Sequence, residues 1–168
     1  MTRPRIKILM MTTRIPLAFS LLLLALTASA EVPGIHLADK SLGVEFLDSD
    51  EKEFFISQTM DLSGRLFVGC REALYVYEPT EEGGFGPRQE LFRFPMHSWL
   101  YDLEVYGNDL FVLTNTALYR MRDAVTRRNN LKPEKLLWGK PQGHYHQGLH
   151  GMEFGPTGDL FLSMGDPQ

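Results

Sequence analysis

The amino-acid sequence predicts an all-β fold, a β-propeller made of four-stranded blades. The word "ALYVYE" begins at Ala73, and the similar word "ALYRMR" begins at Ala117, 44 residues later. A weaker match at nearly the same spacing relates "ELFRF" (90–94) to "KLLWG" (135–139). Several short strands that recur every 40–50 residues or so are typical of propeller blades.

A turn followed by a short apolar strand occurs three times, in "DLSGRLFVGC" (61–70), "VYGNDLFVLT" (105–114) and "GPTGDLFLSM" (155–164). Leu66 and Leu110 again lie 44 residues apart, and Leu160 follows Leu110 by 50. Glycine-containing pairs supply the turns. The continuous apolar run in "DLFVLT" predicts a strand that is buried on both faces, whereas "YDLEVYG" alternates apolar and charged residues, as a half-buried strand does.

These strands add up to about two and a half blades. Residues 50–139 hold two blades, and residues 149–164 hold the first two strands of a third. Propellers typically close with about 4–8 blades, so we expect this chain to be the N-terminal part of a longer protein. Aromatic residues recur at strand positions and predict an inter-blade core: Phe67, Tyr75, Tyr77, Phe111, Tyr119, Trp138 and Phe161.

The first 30 residues have the composition of a secretory signal peptide. Four basic residues precede or flank a short apolar run (15–26), and Ala28 and Ala30 form an A-x-A cleavage pattern. The run is shorter than the 20 or so residues that span a bilayer, although an uncleaved membrane anchor is the alternative. The predicted domains are therefore a signal peptide (1–30) and an incomplete propeller (31–168), and the predicted location is periplasmic or secreted.

The charge balance of the mature segment argues against a nucleic-acid partner. Without residues 1–30, the chain holds 13 Lys and Arg against 21 Asp and Glu. Nucleic-acid phosphates select basic surfaces, so this acidic balance excludes them as expected partners. Cys70 is the single cysteine, lies in an apolar run and is predicted to be a small core residue.

Three of the five histidines crowd into "GHYHQGLHG" (143–151), the segment that leads into the third blade. A histidine in such a glycine-rich loop can act as a general base near neutral pH. Asp166 ends the following strand, and antiparallel pairing would return it to the level of His146 and His150. The alternatives are solvated histidines without activity, and a metal site formed by these two with His144.

The segment "HQGLHGMEFGPTGDLFLSMGD" resembles soluble quinoprotein glucose/sorbosone dehydrogenases and the related propeller domains described as membrane-bound dehydrogenases in planctomycetes. "DLSGRLFVGCREALYVYEP" is similar to the first blade of the same families. The resemblance covers roughly residues 35–168 and implies a six-bladed propeller. It also implies oxidation of a sugar hydroxyl, with hydride passing to pyrroloquinoline quinone held near a calcium ion.

The resemblance also assigns residues. His146 and Gly148 match the H-x-G of the dehydrogenases, with one inserted residue, and Asp166 matches the aspartate of their G-D pair. The planctomycete-type relatives favour His150 as the base instead. The residues that hold the quinone and calcium are expected in later blades, so they are not assigned here.

Two functions follow as expectations. The first is an exported sugar or alcohol dehydrogenase, of which this chain is the N-terminal piece, with a sugar or alcohol as substrate and a cytochrome as a candidate electron acceptor. The second is a non-catalytic propeller that serves as a binding platform, with a cytochrome domain fused to it in the complete protein. A propeller fold by itself does not choose between them.

Overall fold

The computed structural model describes residues 5–10, 43–50, 52–139 and 148–165. The chain divides into two compact units, Met1–Phe54 and Phe55–Gln168. In the first unit, β1 (Arg5–Met10) pairs in parallel with β2 (Gly43–Ser49). β1 lies within the predicted signal peptide, and export stays a prediction. Among the described residues, no helix has the length and apolarity needed to cross a membrane.

The second unit opens with a four-stranded antiparallel sheet. Its strands follow chain order: β3 (Ser57–Met60), β4 (Leu66–Gly69), β5 (Ala73–Tyr77) and β6 (Gln89–Arg93). The turn between β3 and β4 forms because Asp61 accepts hydrogen bonds from the N–H groups of Ser63 (2.8 Å) and Arg65 (3.0 Å). Gly64 completes the turn with a φ of 82°, which favours glycine.

A second sheet repeats this order. Its strands are β7 (Leu100–Tyr106), β8 (Asp109–Thr114), β9 (Ala117–Met121) and β10 (Pro133–Trp138). A third, two-stranded sheet pairs β11 (Leu149–Phe154) with β12 (Leu160–Met164) in antiparallel fashion. The two predicted blades and the first half of a third are therefore confirmed, at the predicted positions in the chain.

The middle strands of the first two sheets are buried, as their apolar composition predicts. Every residue of β4 and β5 is buried, and so is all of β8 except Asp109. The outermost strands β6 and β10 are mostly exposed, which matches their position at one end of each sheet. Cys70 is fully buried, as predicted for a small core residue.

Two hydrophobic clusters join the three sheets. The first lies between the first and second sheets and includes Phe67, Leu74, Leu103, Leu110 and Met121. The second lies between the second and third sheets and is smaller, formed by Phe111, Leu113, Leu118 and Met152, with Leu149, Phe154 and Leu160 at its border.

The predicted aromatic core is confirmed for most of its members and wrong for two. Phe67, Tyr75, Tyr77 and Phe111 are buried. Trp138 is 71% exposed because it ends the outermost strand β10, and Phe161 is 63% exposed because no described element covers its face of β12. Position in the sheet, and not residue type alone, therefore decides which aromatic side chains are buried.

The first strands of the three sheets are neighbours. β7 packs against β3 on one side and against β11 on the other. The three first strands thus face one inner region, and the last strands of the first and second sheets are mostly exposed, which is the arrangement of propeller blades. The predicted fold class, an all-β propeller of four-stranded blades, is confirmed. The total of six blades stays a prediction.

Candidate functional site

The candidate site lies where β7 and β11 begin, at one end of the three sheets. The described residues there are 70–72, 97–101, 115–116, 148–150 and Gly165, which together we call the rim. Backbone hydrogen bonds connect these segments. The N–H of Leu100 donates to the carbonyl of Cys70 (3.2 Å), and the N–H of Gly165 donates to the carbonyl of Gly148 (3.0 Å). The loops that enter the first strands and the loops that follow the second strands therefore meet at this end.

A β-bulge occurs at the same point of both inner strands. In β7, Leu100 pairs with Thr114 and Asp102 with Leu113, so Tyr101 is the extra residue. In β11, Leu149 pairs with Met164 and Gly151 with Ser163, so His150 is the extra residue. A bulged residue is unpaired in the ladder and its side chain is re-aimed. The first sheet has no such shift between β3 and β4.

The two bulged residues contact one another. The ring centroids of Tyr101 and His150 lie 5.5 Å apart, with 49° between the ring planes. Tyr101 is half-buried, whereas His150 is exposed. One side of the imidazole therefore rests on an aromatic ring while the side chain as a whole remains open to solvent and to a ligand.

A carboxylate beside this pair connects the second and third sheets. Asp102 Oδ2 accepts a hydrogen bond from the backbone N–H of Met152 (2.6 Å), and its Oδ1 accepts one from Leu103 (2.9 Å). Gly151 permits this approach, since an added Cβ would lie 3.0 Å from Ser163 Oγ and 3.6 Å from Asp102 Oδ2. Asp102 thereby fixes β11 two residues after His150.

The part of the rim between the first and second sheets carries other polar groups. Glu72 Oε1 accepts a hydrogen bond from the N–H of His97 (2.9 Å), which is exposed and has a φ of 67°. Asn115 Nδ2 donates to the carbonyl of His97 (3.1 Å), while Asn115 Oδ1 is buried without a hydrogen-bond partner in the described ranges. The Arg71 guanidinium lies 4.8 Å from the centroid of the Trp99 ring.

Farther along β7, Glu104 lies near two other acidic side chains, Glu153 and Asp102. Burial raises the pKa of Glu104, and the charges of Glu153 and Asp102 raise it further, against a smaller lowering from the hydrogen bond to the Val105 backbone. Glu104 and Glu153 occupy equivalent places on the two inner strands, three residues after Tyr101 and His150. The inner strands thus carry acidic side chains below the rim.

Of the predicted site residues, His150 lies on the rim. His146, Asp166 and the neighbouring His144 lie outside the described residues. The end of β12 does return to the start of β11, where the Gly165 N–H donates to the Gly148 carbonyl (3.0 Å), and the meeting of Asp166 with a histidine stays a prediction. Tyr101 and Asp102 were not among the predicted site residues, although an alignment of Leu100 with Leu149 places Tyr101 at the position of His150.

The described part of the rim does not supply a calcium site. Within 5–10, 43–50, 52–139 and 148–165, no group of three or more histidine, cysteine, aspartate or glutamate side chains is arranged to hold a metal ion. Both oxygens of Asp102, the carboxylate beside His150, already accept backbone hydrogen bonds. The described rim residues therefore present an exposed imidazole, that of His150, and the aromatic rings of Trp99 and Tyr101.

Comparisons with known proteins add little to this geometry. No family model matches the chain, and no curated protein matches it. Two solved structures of virginiamycin B lyase from Staphylococcus aureus are similar at 13% identity. A catalytically inactive variant with quinupristin has a TM-score of 0.48, and a selenomethionine-substituted form has 0.43.

Both matches are partial. Each covers 67% of this chain, which spans 35% and 38% of the length of the two lyase chains.

Proposed function

We propose that this chain is part of an exported sugar or alcohol dehydrogenase of the propeller type, with His150 and the aromatic rim residues Trp99 and Tyr101 as part of its substrate site. The observation that carries the proposal is the exposed His150 imidazole, held on a bulge of an inner strand. The resemblance of 146–166 to the glucose/sorbosone dehydrogenases supports the choice of reaction.

The proposed chemistry assigns His150 to the proton. The imidazole nitrogen would take the proton of a substrate hydroxyl, and a bound quinone would supply the acceptor for the hydride from the carbon that bears this hydroxyl. The resemblance implies a quinone as the hydride acceptor, with its binding residues on blades beyond those described. Tyr101 and Trp99 offer ring surfaces against which the apolar face of a sugar can pack.

The experiment uses the full-length protein with pyrroloquinoline quinone, calcium, a panel of aldoses and alcohols, and an artificial electron acceptor. We expect turnover that falls by about 10²–10⁴-fold in His150→Ala, the usual cost of losing a general base. His97→Asn is the matched control, because His97 is a second exposed rim histidine and asparagine tolerates its positive φ. His146→Ala and Asp166→Asn test the other assigned residues.

The outcomes separate the candidates. A large loss in His146→Ala with full activity in His150→Ala would move the base to His146. An equal loss in His97→Asn would show that the rim is merely sensitive to substitution, and would contradict the assignment of His150. Absence of turnover on every substrate, with the protein folded, would overturn the dehydrogenase proposal.

A non-catalytic binding platform is the second candidate. It is favoured by Asp102, whose oxygens both accept backbone N–H groups. In a catalytic histidine–carboxylate pair the carboxylate accepts a hydrogen bond directly from the imidazole, whereas Asp102 accepts its hydrogen bonds from the backbone of Leu103 and Met152. Binding of a sugar or alcohol that depends on Tyr101 and Trp99, without turnover, would support this candidate.

A further inference from the structure

The internal repeat places the aromatic ring of Tyr101 beside the imidazole of His150. Tyr101 and His150 are each the second residue of an inner strand, and each is the extra residue of a bulge. Because both bulges lie at the same level of adjacent sheets, the two re-aimed side chains meet, with ring centroids 5.5 Å apart. The contact therefore follows from the register of the two sheets.

A second contact from the same strand fixes the backbone next to His150. The carboxylate of Asp102 accepts the N–H of Met152 at 2.6 Å, and Met152 itself is buried between the second and third sheets. β11 is an end strand, so this N–H belongs to an edge that β12 does not pair. Tyr101 restrains the imidazole ring, and Asp102 restrains the strand that carries it.

We propose that Tyr101 and Asp102 are positioning residues for the His150 imidazole, and that they hold it at the rim in one orientation before any ligand arrives. The value of this positioning for catalysis rests on the proposed function. The positioning itself does not, because it concerns only contacts within this chain. A pre-oriented base avoids the cost of ordering it in the transition state.

The test measures the reactivity of individual histidines in the full chain. Brief treatment with diethyl pyrocarbonate, followed by peptide mapping, gives the rate at which His150 is modified, and His97 in the same digest serves as an internal standard. We expect Tyr101→Ala to raise the His150 rate by roughly two- to tenfold, the range that loss of an aromatic pair allows. Tyr101→Phe keeps the ring and should restore the original rate.

Tyr106→Ala is the matched control variant. Tyr106 also connects β7 to β11, through a stacked contact with Phe154 (4.4 Å between centroids), but at the opposite end of the strands. If positioning is local, Tyr106→Ala leaves the His150 rate unchanged. An equal increase in Tyr106→Ala, or no increase in Tyr101→Ala, would overturn the role of Tyr101.

Asp102 is tested in the same assay. Asp102→Ala removes both acceptors and should raise the His150 rate, whereas Asp102→Asn retains one acceptor oxygen and should raise it less. Equal rates in Asp102→Ala and the unaltered chain would overturn the role of Asp102. If the full-length protein shows no turnover but the labelling pattern holds, the proposed function fails and the positioning stands.

Discussion

The two interfaces between neighbouring sheets are built differently. The first sheet joins the second through a large apolar cluster, to which Arg65 and Arg128 add bonds with the Val125 carbonyl and with Glu78. The second sheet joins the third through a smaller apolar cluster, the Asp102 hydrogen bond and three ring contacts. The first interface therefore has the larger apolar cluster, and the second includes the ring contact to His150.

The largest expected effect compares two phenylalanines that the repeat makes equivalent. Phe67 is fully buried in the first cluster, and Phe111, 44 residues later, is 8% exposed in the second. We expect Phe67→Ala to lower the free energy of unfolding by about 3–5 kcal/mol and Phe111→Ala by about 2–3 kcal/mol, because a larger enclosed cavity costs more. Denaturant unfolding measures both, and equal losses would remove the distinction between the interfaces.

A smaller effect is expected at two glycines that let the sheets approach. A Cβ on Gly69 would lie 2.4 Å from Ser57 Oγ and 3.0 Å from Leu100 Cβ, whereas one on Gly151 would lie 3.0 Å from Ser163 Oγ. We expect Gly69→Ala to cost about 1–3 kcal/mol of stability through overpacking, and Gly151→Ala to cost less. Gly139→Ala is the control, because open space surrounds a Cβ at Gly139. Gly83 is unsuitable because its positive φ would strain an alanine.

The smallest expected effect is the pH dependence contributed by Glu104. Its pKa is raised by burial first and then by Glu153 and Asp102, so the folded chain holds this proton more tightly than the unfolded chain. The protonated carboxyl therefore favours folding at pH values below its unfolded pKa, and this contribution is lost as pH rises through the folded pKa. Glu104→Gln should gain stability relative to the unaltered chain as the pH rises above the unfolded-state pKa of glutamate, about 4.3. Unfolding curves at several pH values check this, and a constant difference would contradict it.

Much of the fold was predictable because it is repeated locally. Apolar runs such as "DLFVLT" and the turns around Gly64 and Gly158 act over a few residues, and their recurrence identifies the blades. Burial of particular side chains was less predictable, since it depends on neighbours that are distant in the chain. Trp138 and Phe161 resemble buried strand residues in sequence, yet they lie where no described element covers them.

The candidate site was predictable only in part. His150 was identified because histidines are concentrated before the third blade. Tyr101 was missed because a bulge depends on the pairing of two strands, and a single strand does not reveal it. Asp102 looked like an ordinary polar residue in the alternation of "YDLEVYG", and only the packing of β7 on β11 brings its carboxylate to Met152.

The direction of the contacts between sheets has a consequence for assembly. Ser57 Oγ donates to the Leu100 carbonyl (2.7 Å), Glu72 accepts from His97, and Asp102 accepts from Met152. In all three, the side chain lies earlier in the chain than the backbone group to which it bonds. A chain that emerges N-terminus first therefore completes each attachment point before the segment that uses it is made. Each folded sheet can then bind the first strand of the next sheet, so the blades can dock in the order in which they are synthesised.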